Sequence, residues 1–313
     1  MNLKSVKIGN LTTPNNVFAA PLAGYTNAVM RQTFQNFGAG LTFTEMVSAK
    51  GLCYNSENTR QLLYITDDYK GIKACQIFGC EPYYMRKACE SSDLAPFDII
   101  DVNMGCPVPK IFKNGEGSAL MGDVKRAQEI VAECKKSGKI ITVKFRTGIS
   151  RGNENAVDFA KALEDAGADM ITVHGRTRQD FYSGDINYEQ IKGVKDAVKI
   201  PVIANGGIFS VQDADEMIER TGADGVALGR ATMYNPWLFA ELTGREKPDV
   251  KNMIKWQIER CLQVFDERFA CVFMRKMVTF YIKGVVGASA LKTKLFSCET
   301  CEQVLEIVDQ LDF

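Results

Sequence analysis

Eight short β-rich segments recur along the chain, and most are followed by an amphipathic helical pattern. They are Val17–Pro21, Leu41–Val47, Lys73–Gly79, Asp98–Asn103, Ile140–Arg146, Asp169–His174, Ile200–Asn205 and Asp224–Gly229. Eight alternating βα units over about 230 residues are typical of a (β/α)8 barrel. A doubly wound parallel sheet is the alternative, but no G-x-G-x-x-G follows the first segment. The alternation therefore predicts an α/β chain built on a TIM barrel.

A different pattern begins where this alternation stops, near Pro236. Glu246–Asp249 is a short polar, proline-containing linker, and helical patterns follow at Asn252–Phe269, Val272–Val285 and Cys301–Leu311. We therefore predict a catalytic barrel domain over residues 1–243 and a small all-helical domain over 244–313. Nine Lys/Arg stand against three acidic residues between positions 251 and 294. This excess favours a polyanionic partner, although a solvated helix face is the alternative.

The composition indicates where in the cell the protein works and whether it uses disulfides or a metal. No apolar run approaches the roughly 18 residues of a membrane helix, and the start MNLKSVKIGN is too polar for a signal peptide. We expect a cytoplasmic protein with no membrane partner, and a monomer by default. Ten cysteines are scattered along the chain, which favours reduced thiols. Cys298 and Cys301 look like half a zinc site, but no second pair completes it and the chain has one histidine, so we expect no metal.

Polar and glycine residues gather where the predicted strands end. In a (β/α)8 barrel the C-terminal ends of all strands face one common site. The residues at these ends are Pro21, Leu22, Ala23, Glu45, Gln76, Asn103, Cys106, Lys144, Arg146, His174, Arg176, Asn205, Gly206, Gly207, Gly229 and Arg230. One polar strand end would be an ordinary solvated terminus, but convergence at nearly every strand favours a binding site.

The last two strand ends predict a phosphate site. Asn205-Gly206-Gly207 ends the seventh segment and Gly229-Arg230 ends the eighth, where barrels of this kind bind phosphate through backbone N–H groups. The glycines let the backbone approach closely, and the arginine can add a charge-assisted pair. The alternative is that the glycines only make tight βα turns.

Two further strand ends carry a positive charge and the single histidine. Lys144 would be a fixed positive charge in the mouth of the barrel, unless it pairs with Glu45. His174 would contact a ligand or, as the alternative, support the loop through hydrogen bonds.

The fourth segment leads into a loop, DVNMGCPVPKIFKNGEGSALMGD. Cys106 lies between glycine and proline just beyond the strand, and not in a core element, where buried free cysteines usually lie. Lys110 and Lys113 share this loop, and Asp123 opens a helix predicted over Val124–Lys136. For the cysteine alone, a structural loop with a stray thiol is the alternative.

Six stretches carry a resemblance to a known family. They are VNMGCPVPKIFKNGEGSALM, APLAGYTN, VKFRTG, TVHGRTRQDFYSG, PVIANGGI and ALGRATMYNPWLF. Together they resemble the tRNA-dihydrouridine synthases, most closely the bacterial enzymes of the B type. MRKMVTFYIKGVVGASALK in the helical region resembles the C-terminal part of the same family. The resemblance implies an FMN-containing barrel with a helical tRNA-binding domain, which uses NADPH to reduce a uridine in tRNA.

The resemblance also implies roles for single residues. Cys106 matches the catalytic cysteine, and Asn103 would orient the uracil. The flavin would be bound by Pro21, Leu22, Ala23, Gln76, Lys144, His174, Asn205, Gly206, Gly207, Gly229 and Arg230. Two positions depart from the family pattern: Gly207 stands where an acidic residue is common, and Phe280 stands where tryptophan is frequent.

These roles lead to a hypothesis for the reaction. Reduced FMN would supply a hydride to C6 of uracil, and Cys106 would supply the proton to C5, because a thiol with a pKa of about 8.5 is mostly protonated near neutrality. Arg176, Arg178 or Lys110 would stabilise the developing enolate. Lys110 and Lys113 would also clamp the tRNA backbone near the target base. Two other classes stay open: an FMN-dependent dehydrogenase of a free pyrimidine-like molecule, and a tRNA-binding protein without catalysis.

Overall fold

Eight parallel strands close into a barrel in chain order. The structure, a computed structural model, describes residues 1–311. The barrel strands are Val17–Ala19, Leu41–Ser48, Lys73–Phe78, Ile99–Met104, Ile140–Arg146, Met170–His174, Val202–Asn205 and Gly225–Leu228. Each strand is parallel to the next, and the eighth pairs with the first through Val226 and Val17. The (β/α)8 barrel is confirmed, and the closed strand order excludes a doubly wound sheet.

Helices connect the strands, and the helix predicted over Val124–Lys136 spans Val124–Lys135. Within the barrel they span Ala28–Asn36, Ala49–Cys53, Glu57–Gln61, Pro82–Cys89, Pro109–Lys113, Val124–Lys135, Ala156–Asp165, Tyr188–Ala197, Val211–Thr221, Ala231–Tyr234 and Leu238–Leu242, with a 3-10 helix at Gly117–Gly122. Ser210 caps its helix as a serine at this position should, because its Oγ accepts the N–H of Asp213 at 3.1 Å. After the fifth barrel strand, a short antiparallel hairpin pairs Gly148–Ser150 with Asn153–Glu154.

The barrel interior is closed at one end and open at the other. Alternate strand residues point inward, as the two-residue period of a strand requires, and fill the lower interior with Phe18, Leu41, Phe43, Ile99, Ile140, Met170 and Ile203. A hairpin of Lys7–Ile8 and Leu11–Thr12 adds the fully buried Ile8 to this cluster. The N-terminal end is therefore sealed with apolar side chains, which leaves the C-terminal end for a ligand.

The helical region after the barrel departs from prediction in its helix boundaries and in its number of helices. We predict helices over Asn252–Phe269 and Val272–Val285, but the first spans Val250–Val264 and the second begins earlier and spans Glu267–Tyr281. Asp266 is the N-cap of the second helix, since its carboxylate accepts the N–H of Phe269 at 2.9 Å. The final helix, Cys301–Asp309, was predicted, whereas Ala288–Ser297 was not, because its apolar residues show little helical periodicity.

Contacts join the helical region to the barrel. Gln257 Nε2 donates to Thr33 Oγ1 at 3.2 Å, and Arg245 donates to the carbonyl of Asn36 at 3.1 Å. A division into units 1–243 and 244–313 stays a prediction.

The cysteines of the helical region are buried free thiols: Cys261, Cys271, Cys298 and Cys301. Among residues 1–311, no three His, Cys, Asp or Glu side chains are grouped so that they could hold a metal ion. Within the same residues, no helix has both the length and the apolar character needed to cross a bilayer.

Candidate active site

A cavity opens at the C-terminal end of the barrel. It holds about 1030 Å3 of space, open solvent at its mouth included. Cys106 and Asn103 line this cavity. So do all the residues predicted to bind the cofactor, namely Pro21, Leu22, Ala23, Gln76, Lys144, His174, Asn205, Gly206, Gly207, Gly229 and Arg230.

Glycines shape the wall at the ends of the seventh and eighth strands. Gly206 and Gly207 have φ angles of +106° and +74°, which disfavour any residue with a side chain. A Cβ on Gly206 would also lie 2.6 Å from the ring of His174. At Gly229 a Cβ would meet only Asn205 Nδ2, at 3.8 Å. The missing side chain at Gly229 therefore leaves open space in the cavity, beside Arg230.

Two basic groups of the cavity wall have lowered pKa values. Burial, followed by the nearby Arg146 charge, lowers the pKa of Lys144 to about 7. Burial and the surrounding cations hold the pKa of His174 well below its ordinary value, so the imidazole is neutral at pH 7. With a pKa of about 7, the Lys144 side chain is only partly charged at neutral pH unless an anion lies beside it, so its fixed charge stays a prediction. The alternative pairing with Glu45 is not seen; the Glu45 carboxylate accepts the N–H of Gly24.

A chain of side-chain hydrogen bonds connects the barrel interior to the Cys106 loop. Asp101 is 1% exposed, and its carboxylate accepts Thr142 Oγ1 at 2.6 Å and Gln76 Nε2 at 2.7 Å. Gln76 Oε1 accepts Asn103 Nδ2 at 2.8 Å. Because the carboxylate can only accept, it fixes the direction of both amides and turns the Asn103 oxygen toward the loop. Burial also raises the pKa of Asp101 to about 6.

Hydrogen bonds between neighbouring side chains and the Cys106 backbone hold its thiol at the cavity wall. Asn103 Oδ1 accepts the N–H of Cys106 at 2.9 Å, and the Cys106 carbonyl accepts Ser118 Oγ at 2.8 Å. The neighbouring carbonyl, of Gly105, accepts Arg146 Nε at 2.8 Å. Burial raises the pKa of the Cys106 thiol, and this outweighs the lowering effect of nearby cations. The thiol form therefore prevails at neutral pH, which suits a proton donor.

Three arginines fasten one loop over the cavity. Arg146 donates to the carbonyl of Phe181 at 2.7 Å, Arg230 to that of Tyr182 at 3.0 Å, and Arg176 to that of Gly184 at 2.9 Å. Tyr182 also lines the cavity. The centroid of its ring lies 5.5 Å from the guanidinium carbon Cζ of Arg146 and 4.9 Å from the Cζ of Arg230. Sequence reasoning missed Tyr182, because a residue eight positions beyond a strand gives no periodic signal.

The other predicted substrate residues lie outside the cavity wall. Lys110 and Lys113 are exposed on the short helix Pro109–Lys113. The Arg178 guanidinium lies 3.9 Å from the ring centroid of Phe112, on that helix. Arg176 is 8% exposed and directs its Nε to loop carbonyls, while its Nη1 has no partner in the described part of the chain. Asn103 alone of this set lines the cavity, and contact of the others with substrate stays a prediction.

Solved structures share this architecture. Morphinone reductase superposes with a TM-score of 0.57 at 15% identity, covering 80% of this chain and 91% of that one. The old yellow enzyme homologue from Zymomonas mobilis gives a TM-score of 0.55 at 14% identity, covering 80% and 95%. At these identities the likeness defines the class of fold, an α/β barrel, and nothing further.

Sequence comparison defines the family. The model of the dihydrouridine synthase family matches residues 18–312. A probable tRNA-dihydrouridine synthase of Rickettsia bellii is 37% identical over 298 residues, covering 92% of this chain and 91% of the relative. The tRNA-dihydrouridine synthase B of Pseudomonas aeruginosa is 36% identical over 300 residues, covering 92% and 90%. This chain belongs to the dihydrouridine synthase family, and both the motif resemblance and the prediction of an oxidoreductase of this family are confirmed.

Proposed function

We propose that this chain is an FMN-dependent tRNA-dihydrouridine synthase, which uses NADPH to reduce the C5–C6 double bond of a uridine in tRNA. One observation supports this most strongly: the Cys106 thiol and every predicted cofactor residue line the same cavity. The names of the relatives point to the same substrate. We propose that the enzyme acts on tRNA in the cytoplasm, as a monomer without a metal.

The residues of the cavity fit FMN. The open space at Gly229, next to Arg230 and the Gly206-Gly207 backbone, suits the phosphate group. Lys144 has no anionic side chain within ion-pair distance in residues 1–311, so an anionic ring could restore its positive charge. Bound FMN would supply the hydride for C6 of uracil, and the protein would position it.

The residues around Cys106 would deliver the proton. Asn103 and Ser118 hold the Cys106 backbone, so the Sγ has a fixed place on the cavity wall. Since burial raises its pKa, the thiol keeps its proton near neutrality and can donate it to C5 as general acid. Asn103 also retains a weak contact from Nδ2 to Met46 Sδ at 3.9 Å, a hydrogen that a uracil carbonyl could accept instead.

Some basic side chains on the surface bond to other groups of this chain, and others make no such bond and could contact RNA. Five of the basic residues counted between positions 251 and 294 donate to side chains or carbonyls of this chain: Lys251, Lys255, Arg260, Arg275 and Lys276. Four others make neither an ion pair nor a side-chain hydrogen bond within the described residues. One of them, Lys283, lies over the ring of Tyr234, and the remaining three are Arg268, Lys292 and Lys294. We propose that these three, with Lys110 and Lys113 beside the cavity, contact tRNA phosphates.

Activity on unmodified tRNA with NADPH, followed by nucleoside mass spectrometry, tests the proposal. The protein should purify with, or take up, a flavin, and should form dihydrouridine in tRNA but not from free uridine. Cys106→Ala should keep flavin and tRNA binding but lose most turnover, while Cys53→Ala, another half-buried thiol, should stay active. A protein that takes up no flavin would contradict the proposal. Near-normal single-turnover reduction by Cys106→Ala would contradict the acid role.

A further inference from the structure

The loop after the first barrel strand, residues 21–26, is held from two directions. Its first three residues, Pro21, Leu22 and Ala23, line the cavity. Gly24 follows with a φ of +76°, a conformation that favours glycine. Gly24 is exposed and does not line the cavity, yet both polar groups of its backbone bind charged side chains from distant parts of the chain.

The barrel supplies the first of these side chains. Glu45 accepts the N–H of Gly24. The second strand shifts register between Phe43 and Met46, so Met46 lines the cavity whereas Glu45 does not. Such irregularities redirect a side chain, and here the carboxylate reaches the neighbouring loop.

The helical region supplies the second charged side chain that binds the Gly24 backbone. Lys276, on the helix Glu267–Tyr281, donates from Nζ to the carbonyl of Gly24 at 2.7 Å. The same Nζ lies 4.2 Å from the ring centroid of Tyr25 and 5.1 Å from that of Phe273. Lys276 is half-buried and does not line the cavity. Hydrogen bonds to charged groups are about twice as strong as neutral ones, so two of them restrain the Gly24 backbone, one at its N–H and one at its carbonyl.

We propose that Lys276 and Glu45 are positioning residues of the cofactor site, which clamp the Gly24 backbone and thereby fix the cavity wall formed by Pro21–Ala23. The helical region then takes part in retaining the flavin without touching it. This inference rests on the proposed FMN function for its ligand, but the clamp itself belongs to the protein alone.

Two lysine variants test the clamp. Lys276→Met removes the ammonium but keeps the apolar stem over Tyr25. Lys283→Met is the matched control, because Lys283 Nζ also lies over a ring, 4.8 Å from the centroid of Tyr234, but makes no hydrogen bond to the loop. A charge-assisted hydrogen bond contributes a factor of about ten when well buried and less when half-buried. FMN affinity should therefore fall about three- to tenfold in Lys276→Met and stay unchanged in Lys283→Met.

A second readout needs no flavin. In the cofactor-free protein, hydrogen exchange of the peptide covering residues 20–27 should be faster in Lys276→Met than in the wild type or Lys283→Met. Wild-type protein that binds no FMN would defeat the proposed function, and the exchange measurement would still decide the clamp. Exchange and FMN affinity in Lys276→Met equal to those of the control would overturn the inference. Weaker tRNA binding with both values unchanged would make Lys276 an RNA contact only, and would overturn it too.

Discussion

Replacing Asn103 by alanine would separate loop anchoring from substrate contact. Asn103 Oδ1 accepts the N–H groups of Gly105 at 3.2 Å and Cys106 at 2.9 Å, and Nδ2 donates to Gln76 Oε1 at 2.8 Å. The side chain belongs to a residue that is 9% exposed, so water replaces these partners poorly. Three hydrogen bonds at about 0.5–1.5 kcal/mol each give an expected loss of about 1.5–4.5 kcal/mol in the free energy of unfolding.

Urea unfolding and mass-spectrometric mapping of Cys106 alkylation would measure both effects. We expect faster alkylation in Asn103→Ala, because the released loop exposes the thiol. Ser118→Ala is the control: it loses the Oγ bond to the Cys106 carbonyl, but the backbone N–H of Ser118 still reaches the same oxygen at 3.1 Å. That variant should lose about 1 kcal/mol. Wild-type stability and alkylation in Asn103→Ala, with turnover lost, would refute the anchoring argument and leave only a substrate role.

Three further predictions follow from charge and burial. The alkylation rate of Cys106 should rise with pH through a midpoint above that of a free thiol, because burial raises its pKa, and a midpoint below it would contradict this. FMN affinity should fall as pH rises from 7 to 9, because Lys144, with a pKa of about 7, loses the positive charge that favours binding of an anion. In calorimetric titrations, Lys144→Met should bind FMN more weakly than the wild type and with no pH dependence over that range. A wild-type affinity that does not change with pH would contradict this role of Lys144. Lys292→Glu with Lys294→Glu should weaken tRNA binding and reduce its log–log salt slope by about two, since each phosphate contact contributes about one; an unchanged slope in filter binding would exclude these contacts.

The strand ends were predictable because two periodic patterns coincide there. Apolar strands such as Ile140–Arg146 fix the barrel, and the barrel brings every strand end to one mouth. The positions of Gln76, Lys144 and Asn205 in the cavity wall could therefore be predicted without knowing the conformation of any loop. Asp101 was also within reach of such reasoning, because it lies two residues before Asn103 and so shares its face of the strand.

Loop residues were harder to place because no period governs their direction. Arg176 and Arg178 follow the strand that His174 ends, but one turns to loop carbonyls and the other stacks on Phe112. The contact of Lys276 with Gly24 joins residues 252 positions apart. Long-range pairs of this kind depend on how the helical region packs, which local sequence patterns do not encode.

The neutral His174 has a consequence for how the protein responds to acidity. Histidine is the side chain with which proteins ordinarily sense pH near neutrality, and the only one in this chain is kept uncharged by burial and by its cationic neighbours. Lys144 and Asp101, with pKa values of about 7 and about 6, take over that range. Lys144 lines the cavity, and Asp101 is hydrogen-bonded to Gln76, which also lines it, so mild acidification changes the charge in and beneath the proposed catalytic cavity.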